Sequence, residues 1–333
     1  MDATTGGNNV FSPTWVNMDK PVIVRVGVND STVSYGNLFA TYSVEEKTEY
    51  SNDEEYSNSS VELTDFHSPS KPYSRDELSP PITRNERNGA FTFKENTEYD
   101  LMLHVQRALA KFDFASLTDV ECANVILASI DEFCLAQQWM YHVGKEKGET
   151  LKSFLGHCIK AHTNSSRRNH PITIVELGAY CGYSAILLAK SVKELAPNLK
   201  FHVYSTEINA QNCQVANSMI LMAKLAKYIT VLPFQPSCES LSTLLKPHVL
   251  QIDFLLLDHA KDMYLDDLLE LEKNGFIKKN SHVAADNVVF NRLEGYRHHV
   301  GKLAKRFIAE TRLVEMTLEY SDDIKDGIGK FLL

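Results

Sequence analysis

Five oxygen-bearing side chains stand where aliphatic runs stop: Glu176 in "IVELGAYCG", Glu207 in "YSTEIN", Asp258 in "LLLDHAKD", and Asp286 with Asn287 in "VAADNVV". Asp258, Asp286 and Asn287 offer two carboxylates and an amide carbonyl. These are hard donors suited to Mg²⁺, with waters or substrate oxygens completing an octahedron. The six cysteines show no paired spacing that would favour zinc instead. Lys261 follows Asp258 by three residues and is a candidate general base beside such a cation. Glu207 lies 31 residues beyond Glu176, after one strand–helix unit. An acid placed there can accept hydrogen bonds from both ribose hydroxyls of a nucleoside. Strand-end acids also serve as N-caps of the next helices, yet a run of them at successive strand ends points to a ligand.

The elements that must position these groups are legible in the pattern. Ile174, Val175 and Leu177 read as the tail of a buried strand, and "SAILLAKSVKEL" has helical apolar spacing. Between them Gly178 and Gly182 frame a turn where backbone can approach a ligand closely. Upstream, "YDLMLHVQRALAKF", "DVECANVILASIDEFCLAQQW" and "KGETLKSFLGHCIKAH" are predicted helices, the second capped by Asp119. Downstream, short aliphatic runs alternate with helices and end in two strands, "LVEMTLEY" and "IGKFLL". The predicted fold is α/β, a doubly wound, mostly parallel Rossmann-like sheet with an antiparallel edge hairpin. Ligands in such sheets lie outside the carboxyl ends of the strands.

Composition narrows the partners. The net charge of −9 is carried by residues 1–100, with 17 acidic and 8 basic side chains; the remainder holds 26 of each. That neutral balance makes nucleic acid a poor partner. No apolar run is long enough for a membrane span. "MDATTGGNNVFSPTW" lacks the basic start and apolar core of a secretory signal. Reduced thiols in the cytoplasm are therefore expected. Residues 1–98 are acidic and of low complexity, and most of them are expected to be disordered. The exception is "PVIVRVGVNDSTVSYG", which alternates around an Asn-Asp turn. Residues 99–333 form the predicted catalytic domain.

"VELGAYCGYSA", "TEIN", "LLLDHAKDMYLDDLLELEKNGFIKKN", "AADNVV" and "LEY", in that order, resemble the catechol O-methyltransferase family, which uses S-adenosylmethionine and Mg²⁺. The resemblance runs from about residue 100 to the end and implies a class I methyltransferase fold. It implies that Val143, Glu176, Gly178, Tyr180, Ser184, Glu207, Ile208, Ser237, Asp258 and His259 hold the cofactor, and that Asp258, Asp286 and Asn287 bind Mg²⁺. By the same resemblance Lys261 is the base and Glu319 binds the second catechol hydroxyl. Trp139 and Leu318 flank the ring, with Lys261 and Asn287 also at the substrate. The expected partner is a small catechol, and the expected state is a cytoplasmic monomer. The choice of S-adenosylmethionine over NAD rests on the resemblance, because "GAYCG" is not a dinucleotide fingerprint.

Four positions depart from the family. Ala260 stands where it usually carries Trp, Asn291 where it carries a gate proline, and Tyr141 and His142 where it carries Met and Asn. Losing an indole and a proline opens the acceptor side. Two other readings fit the sequence: a related Mg²⁺-dependent O-methyltransferase acting on another vicinal-dihydroxy phenol, and a non-catalytic methyltransferase-like binding protein. The second is disfavoured because every chelating and proton-transfer position is present.

Overall fold

Phe254 to Leu257 are four consecutive apolar residues, and all four are fully buried. Such a run is stable as a strand covered on both faces. In the computed structural model it is β4, inside a seven-stranded sheet. The structure describes residues 96–289, 291, 293–307, 311–319 and 325–332. The expectations for residues 1–95, the acidic segment and its short hairpin, lie outside the described residues.

Three helices, α1 (Thr97–Leu109), α2 (Asp119–Ala136) and α3 (Gly144–Thr163), precede β1 (Ile172–Leu177). Then come α4 (Tyr183–Leu195), β2 (Phe201–Glu207), α5 (Ala210–Met222), β3 (Ile229–Pro233) and α6 (Leu241–Leu245). After β4 follow α7 (Tyr264–Lys273), β5 (His282–Ala285), α8 (Glu294–Phe307), β6 (Thr311–Thr317) and β7 (Lys325–Leu332). The strand order is β3-β2-β1-β4-β5-β7-β6. Strands β1 to β5 run parallel, and β7 pairs antiparallel with both β5 and β6. This is the predicted doubly wound sheet with its antiparallel edge hairpin. The order reverses between β1 and β4, so a crevice opens at their carboxyl ends.

Alternation along the strands builds two cores. Ile172, Ile174, Phe254 and Leu256 face the layer containing α1 to α5. Val175, Leu177, Leu255 and Leu257 face α6, α7 and α8, where Tyr264, Leu268 and Val300 meet them. Each fully buried leucine contributes about 1.5–3 kcal/mol, so β4 secures both layers at once.

One cap differs from expectation. The N-cap of α2 is Thr118, not Asp119. The Thr118 hydroxyl accepts from the Glu121 amide at 3.2 Å, and the Glu121 carboxylate accepts from the Thr118 amide at 2.7 Å. That reciprocal pair satisfies two end amides where a lone Asp cap would satisfy one. All six cysteines are free thiols, five of them buried. Among the described residues no helix is long and apolar enough to cross a membrane.

Candidate active site

Beyond Leu177 the chain turns through Gly178 at φ 103°, Tyr180 at φ 45° and Gly182 at φ 86°. Gly178 is required twice over. Its φ is left-handed, and a Cβ there would press on the Asp258 carbonyl, 2.8 Å from its carbon. Gly182 is the N-cap of α4, so the turn delivers a helix N-terminus to the crevice. The Tyr180 amide donates to Glu207 Oε2, and the Asn209 amide to Oε1, both at 2.8 Å. Glu207 thereby ties the glycine turn to the start of α5 while keeping lone pairs for a ligand. On its far side the Tyr180 hydroxyl donates to Glu98 of α1 at 2.9 Å. Glu176, one residue short of the end of β1, is fully buried and accepts from the Ser205 hydroxyl. Burial pushes its carboxyl up to about 7, against hydrogen bonds from Ser184 and Ser205.

A cavity of about 840 Å³ opens over these strand ends. Of the candidate cofactor residues, Gly178, Tyr180, Ser184, Glu207, Ile208, Asp258 and His259 line it. Val143, buried at the start of α3, Glu176 beneath the turn, and Ser237, exposed beside Cys238, are not among its lining residues. His259 is held by Asp267 at 2.7 Å and stacks on Tyr264 with ring centroids 5.0 Å apart. The other side of the same cavity carries Trp139, Lys261, Asp286, Asn287, Leu318 and Glu319. Tyr141, His142, Ala260 and Asn291, the four departures from the family pattern, line it too.

The sheet register explains why the acids meet. The Asp258 amide donates to Leu177 O at 2.9 Å and the Asp286 amide to Leu257 O at 3.0 Å, so each acid steps off the end of a strand beside its neighbour. The Lys261 ammonium donates to Asp258 Oδ1 and to the Tyr264 hydroxyl, both at 2.8 Å. Tyr264 in turn donates to Leu257 O at 2.7 Å. The Trp139 indole donates to the Glu319 backbone carbonyl at 2.9 Å, which draws the 137–143 loop against the residues after β6.

Two further charges complete this end, and the sequence reading names neither of them. Lys147 of α3 is buried, with Nζ 2.9 Å from Asp286 Oδ1, 2.5 Å from Glu319 Oε2 and 2.6 Å from Asp326 Oδ2. Asp326 of β7 also accepts from Asn287 Nδ2 at 2.7 Å. Burial pulls the Lys147 ammonium down, but Asp286, Glu319 and Asp326 outweigh it and hold it above the ordinary lysine range. Burial raises both the Asp286 and the Glu319 carboxyl above the ordinary range, with Lys147 opposing both. Among the described residues Asp258, Asp286, Glu319 and Asp326 make ion pairs with Lys147 and Lys261, four carboxyl groups against two ammonium groups. Oxygen donors with that excess suit a hard divalent cation.

A family model described as a methyltransferase domain matches residues 175–288, which contain the glycine turn, Glu207, Asp258, Lys261 and Asp286. The chain is 32% identical to catechol O-methyltransferase of Bos taurus over 206 residues, covering 62% of this chain and 68% of that protein. It is 32% identical to the enzymes of the same name from Mus musculus and Sus scrofa, covering 49% and 57% of this chain and 56% and 91% of those proteins. At that identity and coverage the chain belongs to the catechol O-methyltransferase family and is a methyltransferase.

Proposed function

We propose that the chain moves the methyl group of S-adenosylmethionine to one hydroxyl of a catechol chelated by Mg²⁺. One observation carries this reading. Asp258, Asp286, Asn287 and Lys261 share a cavity with Glu207 and the glycine turn, so a nucleoside and a metal-held acceptor would meet in one space.

Asp258, Asp286 and Asn287 would hold the cation, and their donor chemistry and charge excess fit it. When bound, the cation would stabilise the phenolate form of the acceptor and the sulfonium would supply the methyl group. The remaining work belongs to the protein's own side chains. Glu207 accepts from the ribose hydroxyls with the lone pairs its two backbone amides leave free. Lys261, as the neutral amine after its own extra proton has left to solvent, would take the proton of the attacking hydroxyl at Nζ; Asp258 and the Tyr264 hydroxyl aim it. Glu319 receives the other hydroxyl through Oε1, since Oε2 is engaged by Lys147. Trp139 and Leu318, both buried at the cavity wall, restrict the ring to one plane. Because the nucleophile becomes neutral as the sulfonium does, orientation supplies much of the acceleration.

Ala260 and Asn291 favour an acceptor side open to larger vicinal-dihydroxy phenols. The test is transfer of labelled methyl from S-adenosylmethionine to a panel of catechols of increasing size, with Mg²⁺ and with chelator. Methylation of vicinal diols alone, lost with chelator, is expected. Transfer that survives metal removal, or that accepts monophenols equally, would refute the chelation reading.

A further inference from the structure

Asn287 is the one neutral member of the candidate cation site, and an amide has two ends. Its oxygen can ligate a cation, while its nitrogen, carrying two hydrogens, repels one. What decides which end faces the cavity is the partner of the other end. Here the Nδ2 group donates to Asp326 Oδ2 at 2.7 Å, and an ionised carboxylate can only accept, so the orientation is fixed by chemistry. Asp326 has no exposed surface, and the same Oδ2 accepts from Lys147 Nζ at 2.6 Å. From α3 the same ammonium also reaches Asp286 and Glu319. Asp326 lies on β7, the antiparallel strand beside β5, and the Val288 amide donates to the Gly327 carbonyl at 3.2 Å. The backbone of the 286–288 turn and the side chain of Asn287 are therefore both fastened to one short stretch of β7. Asn287 itself sits at φ 55°, a left-handed conformation that this double attachment sustains.

We propose that Asp326, held by Lys147, is a positioning residue that fixes the Asn287 amide with its oxygen toward the cation, so that the cation site depends on a carboxylate that does not line the cavity. The inference rests on the metal reading above and adds to it a residue of β7. In Asp326→Asn the partner is itself an amide that can donate or accept, and Asn287 is free to turn its nitrogen inward. Partners of this kind, one step removed from a metal, typically change its affinity by about 10–100-fold.

The experiment titrates Mn²⁺ into the full chain and follows the bound ion by electron paramagnetic resonance. Calorimetry with S-adenosylhomocysteine serves as the check that the fold and cofactor side are intact. Mn²⁺ binding by the parent chain, abolished in Asp286→Ala, establishes the metal reading itself; if the parent does not bind, it is that reading that fails. Asp326→Asn is expected to weaken Mn²⁺ binding by about tenfold or more with S-adenosylhomocysteine affinity unchanged. Combining it with Asn287→Asp exchanges the two groups and supplies a ligand whose ends are both oxygen, so binding should return to within a few-fold of the parent. A folded Asp326→Asn chain that binds Mn²⁺ as the parent does overturns the proposal. If the single variant does not fold, the double variant decides, because failure of the folded double variant to bind Mn²⁺ overturns the proposal equally.

Discussion

Lys261, the first residue of a short 3₁₀ turn, and Asp258, three residues before it, form an ion pair at 2.8 Å, and the same ammonium donates to the Tyr264 hydroxyl at 2.8 Å. The pair is partly exposed, so its worth is in aim and not in stability. The base is thus held at the cavity wall by two partners on its own segment, before any ligand enters.

Lys261→Ala should accordingly lower kcat by about 10²–10⁴ while the affinity for S-adenosylhomocysteine stays as it was. Tyr264→Phe removes one of the two partners and should cost much less. Steady-state kinetics with calorimetry on both variants checks this. A Lys261→Ala chain within tenfold of the parent would take Lys261 out of the proton-transfer role.

Asp286 separates metal chemistry from cofactor binding. Its amide continues the β4–β5 ladder, and only the carboxylate enters the acidic end of the cavity. Asp286→Ala should therefore abolish methyl transfer and spare S-adenosylhomocysteine binding, measured by calorimetry. It leaves Lys147 with Glu319 and Asp326 as counter-charges, so the buried ammonium is not stranded. Unchanged turnover would refute the assignment of Asp286 to the cation.

Gly178 carries a steric prediction. A methyl group at this position meets the Asp258 backbone, which follows β4 directly, is hydrogen-bonded to Leu177 and cannot swing aside as a side chain would. The φ of 103° adds strain for any residue with a Cβ. Gly178→Ala should lose about 1–3 kcal/mol of stability, read as a lower midpoint in urea. It should also weaken S-adenosylhomocysteine binding, because the displaced Asp258 backbone forms one side of the cavity. A variant with parent-like stability and affinity would show that the two strand ends are free to separate.

What the sequence disclosed and what it concealed divide along one physical line. Asp258, Lys261, Asp286 and Asn287 were legible because each follows a short aliphatic run, and parallel strands deliver their carboxyl ends to one edge. Gly178 was legible because a glycine between a strand and a helix has few other reasons to be there. Lys147 and Asp326 were not. "HVGKEKGETL" carries two lysines and two glutamates within one helix start, a pattern shared with any solvated helix face, and "KDGIGK" reads as an edge strand with polar ends. Only the packing of α3 against β5 and β7 makes one of those lysines the buried partner of three carboxylates. The Asp119 cap was misplaced by one residue for a related reason, since Thr118 gains from Glu121, three residues further on, a partner that no single-residue preference shows.

Glu176 yields a prediction about pH. Its carboxyl is fully buried, one of its oxygens has no hydrogen-bond partner, and burial raises it from an ordinary 4.5 to about 7. Between those values the folded chain keeps a proton that the unfolded chain has released. Stability therefore falls as pH rises through this window and stays lower above it. The full effect is on the order of 3 kcal/mol, taken as an upper figure. Glu176→Gln keeps the shape and stays neutral at every pH. Near pH 4.5 the variant should match the parent or fall slightly below it, and by pH 8 it should be the more stable chain by about 1–3 kcal/mol. Urea titrations of both chains from pH 4.5 to pH 8 measure the difference directly. A gap that stays constant with pH would mean that Glu176 is ionised inside the fold, and its role would then be to meet a cation or an ammonium group.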